Sequence, residues 1–167
     1  MLLIYRIFSF LMIPVALIFG LMGIIIFFMA ISINPAFLLM AFVLICYTIY
    51  CFTSLQFLIK VIIRQNTVSS SLKDWIKVNA YGAAFISVMF ILSALQSFST
   101  SDITLRQQLS TMLEAQPQLG KQISVDVLFR MFKGVSAFLL IVGSISLAHV
   151  FISFKLMRQY ASKFMAQ

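Results

Sequence analysis

The chain has 167 residues, 62% of them apolar and only 10% charged, with a mean hydropathy of +1.08. Water-soluble domains hold about 45–50% apolar and about 25% charged residues, so this composition excludes a soluble globular fold and requires the lipid bilayer as solvent. Twelve Lys and Arg against four Asp and Glu leave a net charge of +8, but the excess flanks apolar runs and forms no basic stripe with interleaved aromatics, which argues against a nucleic-acid partner.

A spanning helix needs about 20 mainly apolar residues, and four stretches meet that length: about 8–31, 35–59, 76–98 and 134–154. Apart from Lys77 at the start of the third, none of the four contains a charged residue. The expected fold is therefore all-α, a four-helix transmembrane bundle forming one domain over residues 1–167. The first stretch exceeds the apolar core of a secretory signal and has only Arg6 before it, so it is read as a retained span.

Ser32-Ile33-Asn34-Pro35 is a turn, with Asn34 as N-cap and Pro35 at the first helical position. It predicts an antiparallel hairpin of the first two spans. The only cysteines, Cys46 and Cys51, are five residues apart in the second span. At ~100° per residue they point away from each other on a helix, which excludes a bond between them there. Ser71-Leu72-Lys73-Asp74 reads as a capping box for the third helix, with Trp75 and Tyr81 at interfacial depth.

The segment 99–133 is the one sizeable part outside the spans. Ser99 and Asp102 are candidate caps, and Leu105, Leu109, Met112 and Leu113 recur at helical spacing. They predict a short amphipathic helix over 102–115, ended by Pro117 or Gly120. Its apolar stripe is the candidate surface for docking a partner. Ser124 is placed to start a helix that leads without interruption into the fourth span and on to about Tyr160.

Orientation follows from charge. With the N-terminus inside, eight Lys and Arg (positions 6, 60, 64, 73, 77, 155, 158 and 163) face the cytoplasm and four face outward. Positive residues near span ends are retained inside, so both termini are expected to be cytoplasmic in a cell membrane.

Groups able to do chemistry are few. All four acids flank the spans, so the intramembrane carboxylate expected of small multidrug exporters and proton relays is missing. His149 is the single histidine, too few for a pair of axial haem ligands. The 99–133 segment lacks the cysteines of a tetraspanin outer loop, and no phosphate loop, nucleophile elbow or HExxH sequence occurs. No catalytic, cofactor-binding or metal-binding residues are assigned, and no cofactor is expected.

Two polar features remain. Gln56, Asn79 and His149 fall at one depth near the inner ends of their spans, where Ser54 and Ser153 could join them in an interhelical cluster. Small residues, among them Gly20, Gly23, Ala80, Ala84, Ser87 and Ala94, allow close helix approach. The resulting expectation is a non-catalytic accessory or scaffold subunit that contacts lipid, other membrane proteins or its own copies. The alternative is a small transporter, or a protein binding lipid or small molecules in an interhelical groove.

Overall fold

A computed structural model describes residues 1–116 and 123–165. It contains four long apolar helices: α1 (Leu2–Ser32), α2 (Phe37–Phe57), α3 (Ser70–Ser99) and α5 (Val125–Gln159). A short helix, α4 (Asp102–Glu114), lies between the third and fourth. With one π-helical turn, Leu58–Ile63, the second apolar helix extends to 27 residues. Each of the four is long and apolar enough to cross a bilayer.

The helices outrun the apolar stretches because hydropathy marks where lipid can lie, whereas helices end where caps permit. The first begins at Leu2 and carries Arg6 within it. At the α1–α2 turn, the Asn34 carboxamide accepts the Ala36 amide at 2.9 Å, but α2 begins only at Phe37 with Ala36 as its N-cap, so Asn34 and Pro35 belong to the turn and not to the helix start. The third helix starts earlier than the Ser71 box implies. Ser69 Oγ accepts the Ser71 amide at 3.2 Å, which puts Ser71 inside the helix. Likewise Ser101, rather than Ser99 or Asp102, caps α4 by accepting the Thr104 amide. Ser124 accepts the Val127 amide at 3.4 Å, and α5 runs unbroken from there to Gln159. Pro117 and Gly120 lie outside the described residues.

The chain divides into two compact units, residues 1–88 with 145–167, and residues 89–144. In the first unit α1 and α2 pack antiparallel, and the buried positions of α1 show why. Tyr5, Ser9, Met12, Ala16, Phe19, Gly23 and Ala30 follow alternating steps of four and three, the seam of knobs-into-holes packing. Gly20 admits Thr48, whose Oγ1 reaches across to the Ala16 carbonyl at 3.2 Å. On the outer side of the same helix, Leu3, Phe10, Leu17, Leu21 and Phe28 are exposed. An apolar exterior around a smaller, more polar seam suits a solvent of lipid tails, where small residues and hydrogen bonds take over from hydrophobic burial.

Gly82 of α3 sits where a Cβ would come within 2.7 Å of Cys46 Cβ on α2. The absent side chain is what allows the two backbones to approach. Both cysteines are buried and free. Past the π turn, Gln65 takes a left-handed conformation (φ 56°) and its side-chain amide donates to the Ile62 carbonyl at 2.8 Å. It closes the helix as glycine more often does. A two-residue parallel ladder then pairs Val68 with Phe164 and Ser69 with Met165.

In the second unit, α4 turns Leu105, Leu109 and Leu113 inward. Lys133 donates to the Ser97 carbonyl at 3.0 Å and pairs with Asp102 at 3.3 Å. Arg106 pairs with Asp126, and its guanidinium lies over the Phe129 ring at 4.2 Å. Ser136 donates to Ser97 Oγ at 2.9 Å.

Candidate functional site

Among the described residues a buried polar cluster inside the long helices gathers around His149, which is fully buried in the first unit together with Tyr5, Tyr50 and Ser153. Three helices contribute. The α1 seam presents Tyr5 and Ser9 one turn apart, α2 brings Tyr50 and Ser54, and α5 brings His149 and Ser153 at i and i+4 on one face. Ser9 Oγ lies 2.9 Å from His149 Nε2, and the Tyr50 hydroxyl lies 2.8 Å from Nδ1. The Tyr50 hydroxyl also meets Ser153 Oγ at 2.9 Å. Ser153 Oγ lies 3.2 Å from the Tyr5 hydroxyl, which reaches the Ser54 carbonyl at 3.4 Å. The Tyr5 ring stacks on the imidazole with centroids 4.7 Å apart and planes within 3°.

Counting protons gives every bond a direction. A carbonyl only accepts, so Tyr5 spends its single hydroxyl proton on Ser54. Ser153 must therefore donate to Tyr5, and Tyr50 to Ser153. That leaves Tyr50 as an acceptor towards the ring, so His149 carries its proton on Nδ1 and donates it to Tyr50. Nε2 then accepts from Ser9. Each donor is used once, and the chain ends on a backbone carbonyl, which has no proton to pass on. A buried charge needs a partner charge, and this network contains no carboxylate. The arrangement is a closed clasp on a neutral ring.

The three polar residues singled out by depth do not share this network. His149 is at its centre, bonded to Ser9 and Tyr50. Asn79 is buried but donates to the Trp75 carbonyl of its own helix at 2.8 Å. Gln56 is exposed on α2. Ser54 and Ser153 do take part. Tyr5, Ser9 and Tyr50 were not singled out, although the four-and-three spacing of small and polar residues along α1 carried the signal for the first two. Among the described residues, no three His, Cys, Asp or Glu side chains lie together as a metal site would require.

Of the candidate docking stripe, Leu105, Leu109 and Leu113 are each less than a tenth exposed, whereas Met112 is half exposed. The chain itself covers the three leucines. They act as anchors for α4 and leave only Met112 of the four open to another molecule.

A second feature of the first unit is a groove of about 420 Å³ between one end of α3 and the end of α5. Lys73, Lys77 and Arg158 line it beside Tyr81, Phe154 and Met157. The rings of Tyr81 and Phe154 are 6.3 Å apart.

Four long apolar helices with a polar clasp and an apolar exterior define a multi-pass helical membrane protein. Compared with known protein families, with curated proteins and with solved structures, the chain has no match.

Proposed function

We propose that the protein is a non-catalytic accessory or scaffold subunit, embedded with both termini in the cytoplasm and acting through contacts with other membrane components. One observation carries this reading. The single imidazole of the chain, that of His149, has both nitrogens engaged by hydroxyls, in a network that closes on a backbone carbonyl. Groups saturated in this way hold helices together; a relay or a catalytic base needs an open end. Interhelical hydrogen bonds in membranes contribute about 0.6 kcal/mol each, reaching ~2, so the clasp helps fix how α1, α2 and α5 meet. The test is gentle detergent extraction of the full chain followed by mass spectrometry. Stoichiometric co-purification of another membrane protein supports the reading, and a chain recovered alone at native expression counts against it.

The groove beside Lys73, Lys77 and Arg158 favours a second reading, a protein that binds lipid between its helices. A transporter would in addition need a polar path across the bilayer, and the His149 clasp has no open end from which to build one.

A further inference from the structure

The groove between α3 and α5 combines two chemistries in one volume. Lys73, Lys77 and Tyr81 recur at four-residue steps, so they lie on one face of α3. Phe154, Met157 and Arg158 form the facing wall at steps of three and one on α5. The cations lie towards one end of the groove, and the Tyr81–Phe154 ring pair lies towards the other. Asp74, the one acid on this stretch of α3, lines a different hollow with Ser71, Trp75 and Val78. Among the described residues the ion pairs are Arg106–Asp126 and Lys133–Asp102, so Lys73, Lys77 and Arg158 have no carboxylate partner. Lys73 is held near the Phe164 ring, 5.8 Å from its centroid. Three cations with no carboxylate partner among the described residues line one groove of about 420 Å³, a setting that favours an anion. Tyrosine at such a depth belongs to the headgroup layer, and basic pockets between helices at that level suit anionic headgroups.

We propose that this groove binds an anionic phospholipid, with Lys73, Lys77 and Arg158 on the headgroup phosphate and Tyr81, Phe154 and Met157 against the glycerol and upper acyl chains. The apolar half of the groove selects a lipid over free phosphate, which would leave that wall uncovered. The inference deepens the lipid-binding reading and does not depend on the scaffold reading.

The experiment titrates the purified full chain in neutral detergent with phosphatidylglycerol, with phosphatidylcholine of the same acyl chains, and with inorganic phosphate, read by native mass spectrometry. The groove variant is K77Q/R158Q. The control is K60Q/R64Q, which removes the same charge from exposed positions outside the groove. Phosphatidylglycerol should bind in preference to phosphatidylcholine and resist displacement by millimolar phosphate. Its affinity should fall by about tenfold or more in the groove variant and hold in the control. The charge-conserving K77R/R158K should keep most of the binding, which guards against misreading a folding defect. Equal losses in groove variant and control would overturn the proposal, as would indifference to headgroup charge or displacement by phosphate. Recovery of co-purifying protein is scored separately, so a failed scaffold reading and a failed lipid site give different results.

Discussion

The imidazole Nδ1 of His149 on α5 lies 2.8 Å from the Tyr50 hydroxyl on α2, and proton counting makes the ring the donor. Removing that hydroxyl strands both the Nδ1 proton and the Ser153 lone pair it had satisfied. Leaving a buried polar group unpaired costs about 1–3 kcal/mol. Y50F should therefore lower the unfolding temperature in detergent more than Y81F, whose hydroxyl is on an exposed residue. In a double-mutant cycle, Y50F and H149F should couple by at least ~0.5 kcal/mol. Additive losses would mean that the two side chains do not act together.

Glycine packing gives an independent test. A Cβ at position 82 would come within 2.7 Å of Cys46 Cβ, whereas one at Gly134 meets nothing within 4 Å. G82A should cost about 1–3 kcal/mol through overpacking. G134A should be neutral or stabilise by up to about 1 kcal/mol through helix propensity. C46G should recover part of the G82A loss by returning the missing space. If G82A and G134A melt alike, α2 and α3 do not approach as described.

The short helix α4 should behave as anchored. Thirteen residues make a marginal helix in isolation, so α4 depends on its three buried leucines. L109E places an unpaired charge in a covered site and should expose Arg106 to trypsin in the folded protein. M112E, at a half-exposed position, should leave cleavage unchanged. R106Q, which breaks an exposed ion pair, should cost less than about 1 kcal/mol. Loss of a co-purifying protein in M112E, with the bundle intact, would restore α4 as a docking surface.

Orientation is tested by fusions. Reporters placed after Lys77 and after Gln167 should read cytoplasmic, and one at Gln116 external, because eight of the twelve basic residues are then inside. A cytoplasmic signal at Gln116 would reverse the assignment.

Much of the fold was legible because a bilayer imposes simple lengths. Twenty apolar residues mark a span, Asn34-Pro35 marks a turn, and Ser124 marks a start. The helix ends were less so, since Arg6 and the first turns of α3 lie beyond the apolar runs yet remain helical. The site was half legible. His149 stood out as the single histidine, but depth along the chain does not say which way a side chain points. Gln56 shares the depth and faces outward, whereas Tyr5 lies outside the apolar run and faces in. In a helix apolar on every side, hydrophobicity has no direction. The inward face of α1 shows instead as Ser9, Ala16, Gly23 and Ala30 at seven-residue steps.

The clasp itself is tested most directly by nitrogen NMR of the histidine ring. His149 is the single histidine in the chain, so a protein labelled with 15N-histidine gives an imidazole signal needing no assignment. The account predicts one protonated nitrogen, Nδ1, and an unprotonated, hydrogen-bonded Nε2, with Y50F altering the Nδ1 signal and S9A the Nε2 signal. A ring protonated at Nε2, or at both nitrogens, would contradict the directed chain from Ser9 to Ser54.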